Sequence, residues 1–320
     1  MSNILGKING KKSVAIFIHI NPDPDAVGTA TALARLVEKF GGIPYLYSEN
    51  EISSKLYSFD GEYIFNSAYP DAFDLGVIVD ANEISRIGVK STEILYKCAE
   101  KFIIDHHIQG NLADIDDYYI DATAASASEV LYYLIKDYDI GFMDKKIAED
   151  LYAGVLTDTG SFLFSSVTEK TMRMVADLYS YGIDAEPIAR RLMRSVEKNV
   201  FDLKTEVLSQ ARFYHNNEVG IIVFTKALFN KMHASERDTE NIVNEIVNIN
   251  SVKIAVSMAE ISDRAYKVSI RSKECSYAYH LARCFGGGGH DNASGCRIYG
   301  YYEDCLHKLI SAADDILSND

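Results

Sequence analysis

"VAIFIHINPDPDAVG", residues Val14 to Gly28, runs from an apolar stretch straight into one histidine and two aspartates. Residues 14–18 are continuously apolar, as in a buried strand. A helical pattern follows over about residues 26–40. Ala30, Leu33, Ala34 and Val37 recur at helical spacing, and Gly41-Gly42 ends the pattern. Asn, Pro and Asp favour turns and helix caps, which accounts for Asn21, Pro22 and one aspartate. That explanation fits His19 poorly and leaves a second carboxylate repelling the first. His19, Asp23 and Asp25 are therefore candidate metal ligands at the end of a strand.

The alternation continues outward from this stretch. IPYLY (residues 43–47) reads as a second strand. LGVIVD (residues 75–80) is the near-continuous apolar run of a buried parallel strand. Residues 91–100 read as helix, KFIID (residues 101–105) as another strand, and residues 124–136 and 145–155 as helices. This pattern predicts an α/β domain with a mostly parallel sheet flanked by helices. From residue 168 to 211 the chain reads as wholly helical, its last stretch as a connecting helix. A second pattern then begins. It has a strand at 218–224, a helix near 239–248, and two strands split by a turn at 262–264. The expected organisation is a first domain over 1–195, a connecting helix over 196–214, and a smaller C-terminal α/β domain with a mixed sheet over 215–320.

With 320 residues and ordinary hydrophobic content, the chain can bury two cores. Its apolar runs fall far short of the roughly 20 residues of a membrane span, and its N-terminus lacks a signal-peptide apolar region. A soluble, cytoplasmic protein with no membrane partner is expected. The five cysteines show no CxxC pairing, which suits reduced thiols. The net charge of −14 repels a long polyphosphate backbone, so an extended duplex is a poor partner. A short anionic substrate is compatible if bound metals supply local positive charge.

The strand ends line up chemically. The first delivers His19, Asp23 and Asp25. LGVIVD ends in Asp80, and KFIID ends in Asp105, followed by His106 and His107. LYAGVLTDTGSF places Asp158 in an expected turn beside Gly160. Taken singly, Asp80 reads as a helix cap, His106 as a core histidine and Asp158 as a turn residue. Together they fall at the edge where open parallel sheets bind ligands. Six such groups suit two ions about 3.5–4 Å apart. Mixed oxygen and nitrogen donors without thiolate favour Mn²⁺, with Mg²⁺, Co²⁺ or Zn²⁺ as substitutes. Further on, FGGGGH (residues 285–290) follows a helical stretch. One glycine would end that helix, whereas four let the backbone approach an anion.

The ordered set "HINPDPDAVG", "VIVDANE", "IDHH" and "GVLTDTGSF" resembles the four motifs of the DHH phosphoesterase family. "RSK" and "FGGGGHDNASG" resemble its C-terminal DHHA1 domain. The match spans essentially the whole chain and is nearest to the short stand-alone members, the nano-RNase/pAp phosphatases and cyclic-dinucleotide phosphodiesterases. Pro24 departs from the glycine usual between the two aspartates. The resemblance implies one metal on His19, Asp23 and Asp80, and another on Asp25, Asp80, His106 and Asp158, with Asp80 bridging. It implies that Asp105 orients a histidine and that His107 contacts phosphate or protonates the leaving oxygen. It places Arg271, Gly286, Gly287, Gly288, Gly289 and His290 on the substrate. The implied reaction is hydrolysis of short oligonucleotides or 3′-phosphoadenosine 5′-phosphate by a dinuclear metal-activated hydroxide, with a homodimer left open. Rival readings are cyclic-di-AMP or pApA hydrolysis, inorganic pyrophosphate hydrolysis, and a catalytically dead nucleotide sensor. The glycine cassette argues against pyrophosphate, which offers no base to hold. The full ligand set argues against the dead sensor.

Overall fold

Both faces of the first strand are covered, which is why its sequence is apolar throughout rather than alternating. In the computed structural model, β1 (Ser13–Phe17) turns Val14 and Ile16 into one core cluster and Ala15 and Phe17 into another. The structure describes residues 3–52, 56, 62–239, 241–273 and 276–318. The chain divides into two units, Met1–Ser195 and Val196–Asp320.

The first unit runs α1 (Ile4–Ile8), β1, α2 (Pro24–Lys39), β2 (Ile43–Tyr47), β3 (Phe73–Val79), α3 (Val89–Leu95), β4 (Cys98–Asp105), β5 (Asp117–Ile120), α4 (Ala127–Asp139), α5 (Lys145–Asp158), α6 (Glu169–Ser180) and α7 (Ala185–Ala189). The sheet order is β2-β1-β3-β4-β5, with every pairing parallel. The chain leaves β1 towards β2 on one side and then returns to β3 on the other. Such a switch opens a crevice at the carboxyl ends of the strands. Because β1, β3 and β4 are neighbours, the residues that follow them emerge side by side.

Helices α2 and α5 pack closely because glycine stands at the contact. A Cβ on Gly28 would lie 2.4 Å from the Asp150 carbonyl oxygen. The helix starts follow from capping. The Asp23 side chain accepts the backbone N–H of Asp25 and of Ala26, and Pro24 occupies the first turn of α2. Ser126 caps α4 and Asp144 caps α5 in the same manner.

Two local expectations give way here, and one strand is new. Cys98 to Glu100 continue no helix. They open β4, which pairs with β3 from Phe73 opposite Cys98 onward, while α3 stops at Leu95. Asp158 is not in a turn but is the last residue of α5; the reversal comes after it, through Gly160, Ser161 and Phe162, all at positive φ. β5 was not anticipated; it is four residues long and half-buried, so its pattern is weak.

The second unit contains α8 (Lys198–Ser209), β6 (Arg212–Tyr214), β7 (Val219–Phe224), α9 (Lys226–Met232), α10 (Ile242–Val247), β8 (Ile254–Ser262), β9 (Ala265–Ser272), α11 (Tyr277–Cys284), β10 (Gly288–His290), β11 (Ala293–Tyr299) and α12 (Tyr302–Ser318). Its sheet is mixed, in the order β10-β11-β9-β8-β7-β6, with β7 and β8 parallel and the other pairs antiparallel. The expected connecting helix is α8. It buries Leu203 and Val207 with Ile222 and Phe224, in the core of this unit. Residues 212–214 leave the helical pattern and pair with β7 as an edge strand. Among the described residues, no helix is long and apolar enough to cross a membrane.

Candidate metal centre

Asp80 sits immediately after β3 with φ 56°, and its side chain is almost fully buried. Its two carboxylate oxygens face two different histidines. Oδ2 lies 3.4 Å from His19 Nε2, and Oδ1 lies 3.4 Å from His106 Nε2. His19 Nε2 is also 3.7 Å from Asp23 Oδ2, and His106 Nε2 is 3.4 Å from Asp158 Oδ2. Both imidazoles are oriented alike. His19 Nδ1–H donates to its neighbour's carbonyl, Ile20 O, at 2.9 Å, and His106 Nδ1–H donates to Ala124 O at 3.4 Å. Each therefore turns Nε2 inward, the tautomer a metal ligand needs.

Three groups of side chains place their donor atoms within 4.8 Å of one another: His19, Asp23 and Asp80; Asp25, His106 and Asp158; and Asp80, Asp105, His106 and His107. All six residues expected as ligands fall in the first two groups, and Asp80 links the first to the third. Separations of 3.4 Å are long for charge-assisted hydrogen bonds, which close to about 2.7–2.9 Å. They match two donors that each approach one ion to about 2.0–2.2 Å. Asp80 Oδ1 is buried and has no hydrogen-bond partner among the described residues. An orphaned carboxylate oxygen between imidazoles fits a cation.

The electrostatics agree. Burial, then the Asp80 charge, pushes Asp25 up to about 7. Burial, then the Asp25 charge, pushes Asp158 up to about 8. Burial works against charge on the imidazoles, but hydrogen bonds to Asp23 and Asp80 outweigh it and lift His19 to about 11. The same opposition lifts His106 to about 10, with Asp80 the leading raising partner. The pocket concentrates negative charge that a divalent ion would offset.

Asp105 and His107 form a separate pair beside this set. Asp105 is fully buried and accepts from His107 Nδ1–H at 2.9 Å and from the His107 backbone N–H at 3.2 Å. Burial raises its carboxyl, but the His107 contact outweighs this and holds it low. The His107 ring, half-buried and 4.3 Å from the His106 ring centroid, keeps Nε2 for other work.

In the second unit, the β-ladder places Arg271, Ala293 and His290 in one row across β9, β11 and β10. The His290 side chain lies outside the described residues. Arg271 Nη1–H donates to Ile270 O at 3.0 Å. The four glycines have different tasks. Gly286, at φ 71°, ends α11, and the Gly287 N–H reaches back to Ala282 O at 2.9 Å, the Schellman pattern. A Cβ on Gly287 would lie 2.2 Å from Gly295 O, and one on Gly289 2.6 Å from Ala293 O. Beside Gly286 and Gly288 the space is open, and of these two only Gly286 has a positive φ.

Residues 13–155 match the DHH family, N-terminal domain, and residues 219–319 match the DHHA1 domain. A Streptococcus mutans protein named "Probable bifunctional oligoribonuclease and PAP phosphatase NrnA" is 30% identical over 316 residues, covering 94% of each chain. The chain belongs to the DHH phosphoesterase family. The Bacillus subtilis bifunctional oligoribonuclease and PAP phosphatase NrnA is 28% identical over 303 residues, covering 91% of each chain. The crystal structure of an exopolyphosphatase-related protein from Bacteroides fragilis superposes with a TM-score of 0.89 at 25% identity, covering 98% of this chain and 94% of that one.

The departure from the usual DHH first motif has a local explanation. Pro24 occupies the first position of α2, where a missing N–H goes unneeded and a fixed φ suits the helix. One contact within the DHH domain has no counterpart among the sequence expectations. Asp25 Oδ2 accepts the Ala127 N–H at 2.7 Å and Oδ1 accepts the Ser128 N–H at 3.0 Å. The available signal was Ser126-x-x-Glu129 before an apolar run, the signature of a capped helix start.

Proposed function

We propose that this DHH phosphoesterase hydrolyses phosphoester bonds in short oligonucleotides and in 3′-phosphoadenosine 5′-phosphate, using two divalent ions, Mn²⁺ first among them. The observation that carries the reading is the placement of the two Asp80 oxygens, each 3.4 Å from the Nε2 of a different histidine. That geometry supports one ion on His19, Asp23 and Asp80, and a second on Asp25, Asp80, His106 and Asp158. Bound there, the ions supply an activated water and neutralise phosphoryl oxygens. The substrate class is supported by the relatives named as oligoribonucleases and PAP phosphatases.

The protein's own groups do the rest. Asp25 and Asp158 add negative charge to the side of the pocket facing His106. Asp105 holds Nδ1–H of His107, which leaves Nε2 to donate a proton to the departing oxygen. Arg271 offers a planar fork to a phosphate or base edge, and the open backbone at Gly288 admits a close approach. Gly286, Gly287, Gly289 and His290 complete that substrate-binding segment. A cytoplasmic setting belongs to the same reading and is supported by the four described cysteines, all free.

The test is a Mn²⁺-supported panel of 3′-phosphoadenosine 5′-phosphate, di- to pentanucleotides, cyclic-di-AMP, pApA and pyrophosphate. The first two classes should turn over fastest. Preference for cyclic-di-AMP or pyrophosphate would overturn the substrate assignment. Full activity after exhaustive chelation would overturn the metal reading.

A further inference from the structure

Glu129 is fully buried in the first turn of α4, and the proposed reaction makes no use of it. Its Oε2 accepts the backbone N–H of Ala125 at 3.0 Å and the Thr171 hydroxyl at 2.9 Å. Its Oε1 has no hydrogen-bond partner among the described residues. Burying a carboxylate this deeply is unfavourable unless its hydrogen bonds compensate. What they secure is the short segment in front of α4.

Each residue of that segment has a task. The Ala124 carbonyl accepts from His106 Nδ1–H. The Ala125 N–H is held by Glu129. The Ser126 hydroxyl accepts the Glu129 N–H at 3.0 Å. The Ala127 and Ser128 N–H groups hold the two oxygens of Asp25. Ser128 Oγ lies 2.9 Å from Thr29 Oγ1, which donates in turn to Asp25 Oδ1 at 3.4 Å. The first N–H groups of a helix have no partner within it. Here two of the first three are spent on a candidate metal ligand from another helix, at the end where the dipole favours an anion. The fit is tight, since a Cβ on Gly154 would lie 2.4 Å from Asp25 Oδ1 and 2.1 Å from Ser128 Oγ.

We propose that residues 124–129 are the positioning element of the metal pocket, with Glu129 a positioning residue that fixes the segment orienting His106 and Asp25. The proposal rests on the reading of the pocket as a metal centre. Two ligands that arrive from β4 and from α2 are aimed by one stretch of backbone, itself clamped to α6 through Thr171.

The experiment is calorimetric titration of Mn²⁺ into the metal-free full-length protein, with thermal melts and steady-state kinetics alongside. Glu129→Ala should weaken Mn²⁺ binding about 10- to 100-fold, the range for groups that orient ligands, and lower kcat with little change in KM. Glu129→Gln keeps an acceptor oxygen for Ala125 and Thr171 and should restore affinity to within a few-fold of wild type. Leu178→Ala, a buried change on α6, should lower the melting temperature but leave Mn²⁺ affinity unchanged. Wild-type Mn²⁺ affinity in Glu129→Ala would overturn the proposal. So would an equal loss in Leu178→Ala, since general destabilisation would then suffice. If Glu129→Ala does not fold, Thr171→Val decides, because it removes one of the two donors to Glu129. Weakened Mn²⁺ binding there supports the proposal, and unchanged binding overturns it. A wild-type protein that binds no Mn²⁺ would instead overturn the metal reading beneath it.

Discussion

Replacing Asp80 with asparagine tests the shared ligand with the least disturbance to the fold. Asp80 adopts φ 56°, a region that asparagine also visits, whereas Asp80→Ala would add backbone strain of about 1–2 kcal/mol. Asp80→Asn keeps the volume, removes one negative charge and exchanges one acceptor oxygen for an amide. Only one histidine, His19 or His106, can then share an oxygen with it. A loss of about 10²- to 10⁴-fold in kcat/KM is expected, equivalent to about 2.7–5.4 kcal/mol of transition-state stabilisation. A second readout does not depend on activity. At Mn²⁺ concentrations about 100 times Kd, each bound ion adds about 2.7 kcal/mol to wild type. For a domain of this size that raises Tm by roughly 5–11 °C. Asp80→Asn should lose most of that increment. Its metal-free Tm should change little, because the relieved repulsion on Asp25 and Asp158 opposes the lost attraction to His19 and His106. Near-native turnover with the full Mn²⁺-induced shift would refute the shared-ligand geometry. A collapse of the metal-free Tm would make Asp80 a folding residue instead.

Mn²⁺ affinity should rise steeply with pH. The metal-free imidazoles of His19 and His106, lifted to about 11 and about 10, hold protons at neutral pH that a metal must displace. Titrations in buffers of different ionisation enthalpy at pH 7 should show net proton release, and affinity should fall as the pH drops; a pH-independent affinity would contradict this. Arg271→Ala should raise KM for a dinucleotide about 10- to 100-fold, the loss of one charge-assisted contact, with unchanged Mn²⁺ affinity. A small generic phosphodiester should be cleaved equally by both proteins, and equal damage to it would count against a role in nucleotide recognition.

The parts of the fold that sequence made legible are those whose burial leaves a pattern. β1, β3 and β4 are covered on both faces, so their apolar runs stand out, and their polar successors mark the edge where the pocket lies. Helical spacing can run on past Leu95, so Cys98 to Glu100 read as helix. Only the partner strand, with Phe73 opposite Cys98, ends that ambiguity. Gly160 is the visible breaker, so Asp158 reads as a turn residue, yet the helix persists through it. The glycine run reads as one ligand-binding device; Gly286, Gly287 and Gly289 each also answer a demand of the surrounding backbone. An acidic residue in a first helical turn is ordinary, so Glu129 carries no local signal. Its burial, and its hold on Ala125, are tertiary facts that no local pattern carries.

Charge joins the pocket to the size of its substrate. The chain carries −14 overall, so its surface at large repels phosphate. On the proposed reading, four ligand carboxylates, Asp23, Asp25, Asp80 and Asp158, contribute −4, and two divalent ions contribute +4. The loaded pocket is then neutral before the histidines are counted, and the helix terminus at Ala127 and Ser128 adds a further positive bias beside Asp25. Attraction for phosphate is thus confined to the immediate reach of the ions and to cations such as Arg271. A mono- or dinucleotide can place its few charges within that reach. On the same reading a duplex, with one charge per ~1.7 Å of axis, would lay most of its charges against the acidic remainder. On the proposed reading, the net charge of the chain penalises each added phosphate that lies beyond the reach of the metals, so steric exclusion is not needed to favour short substrates.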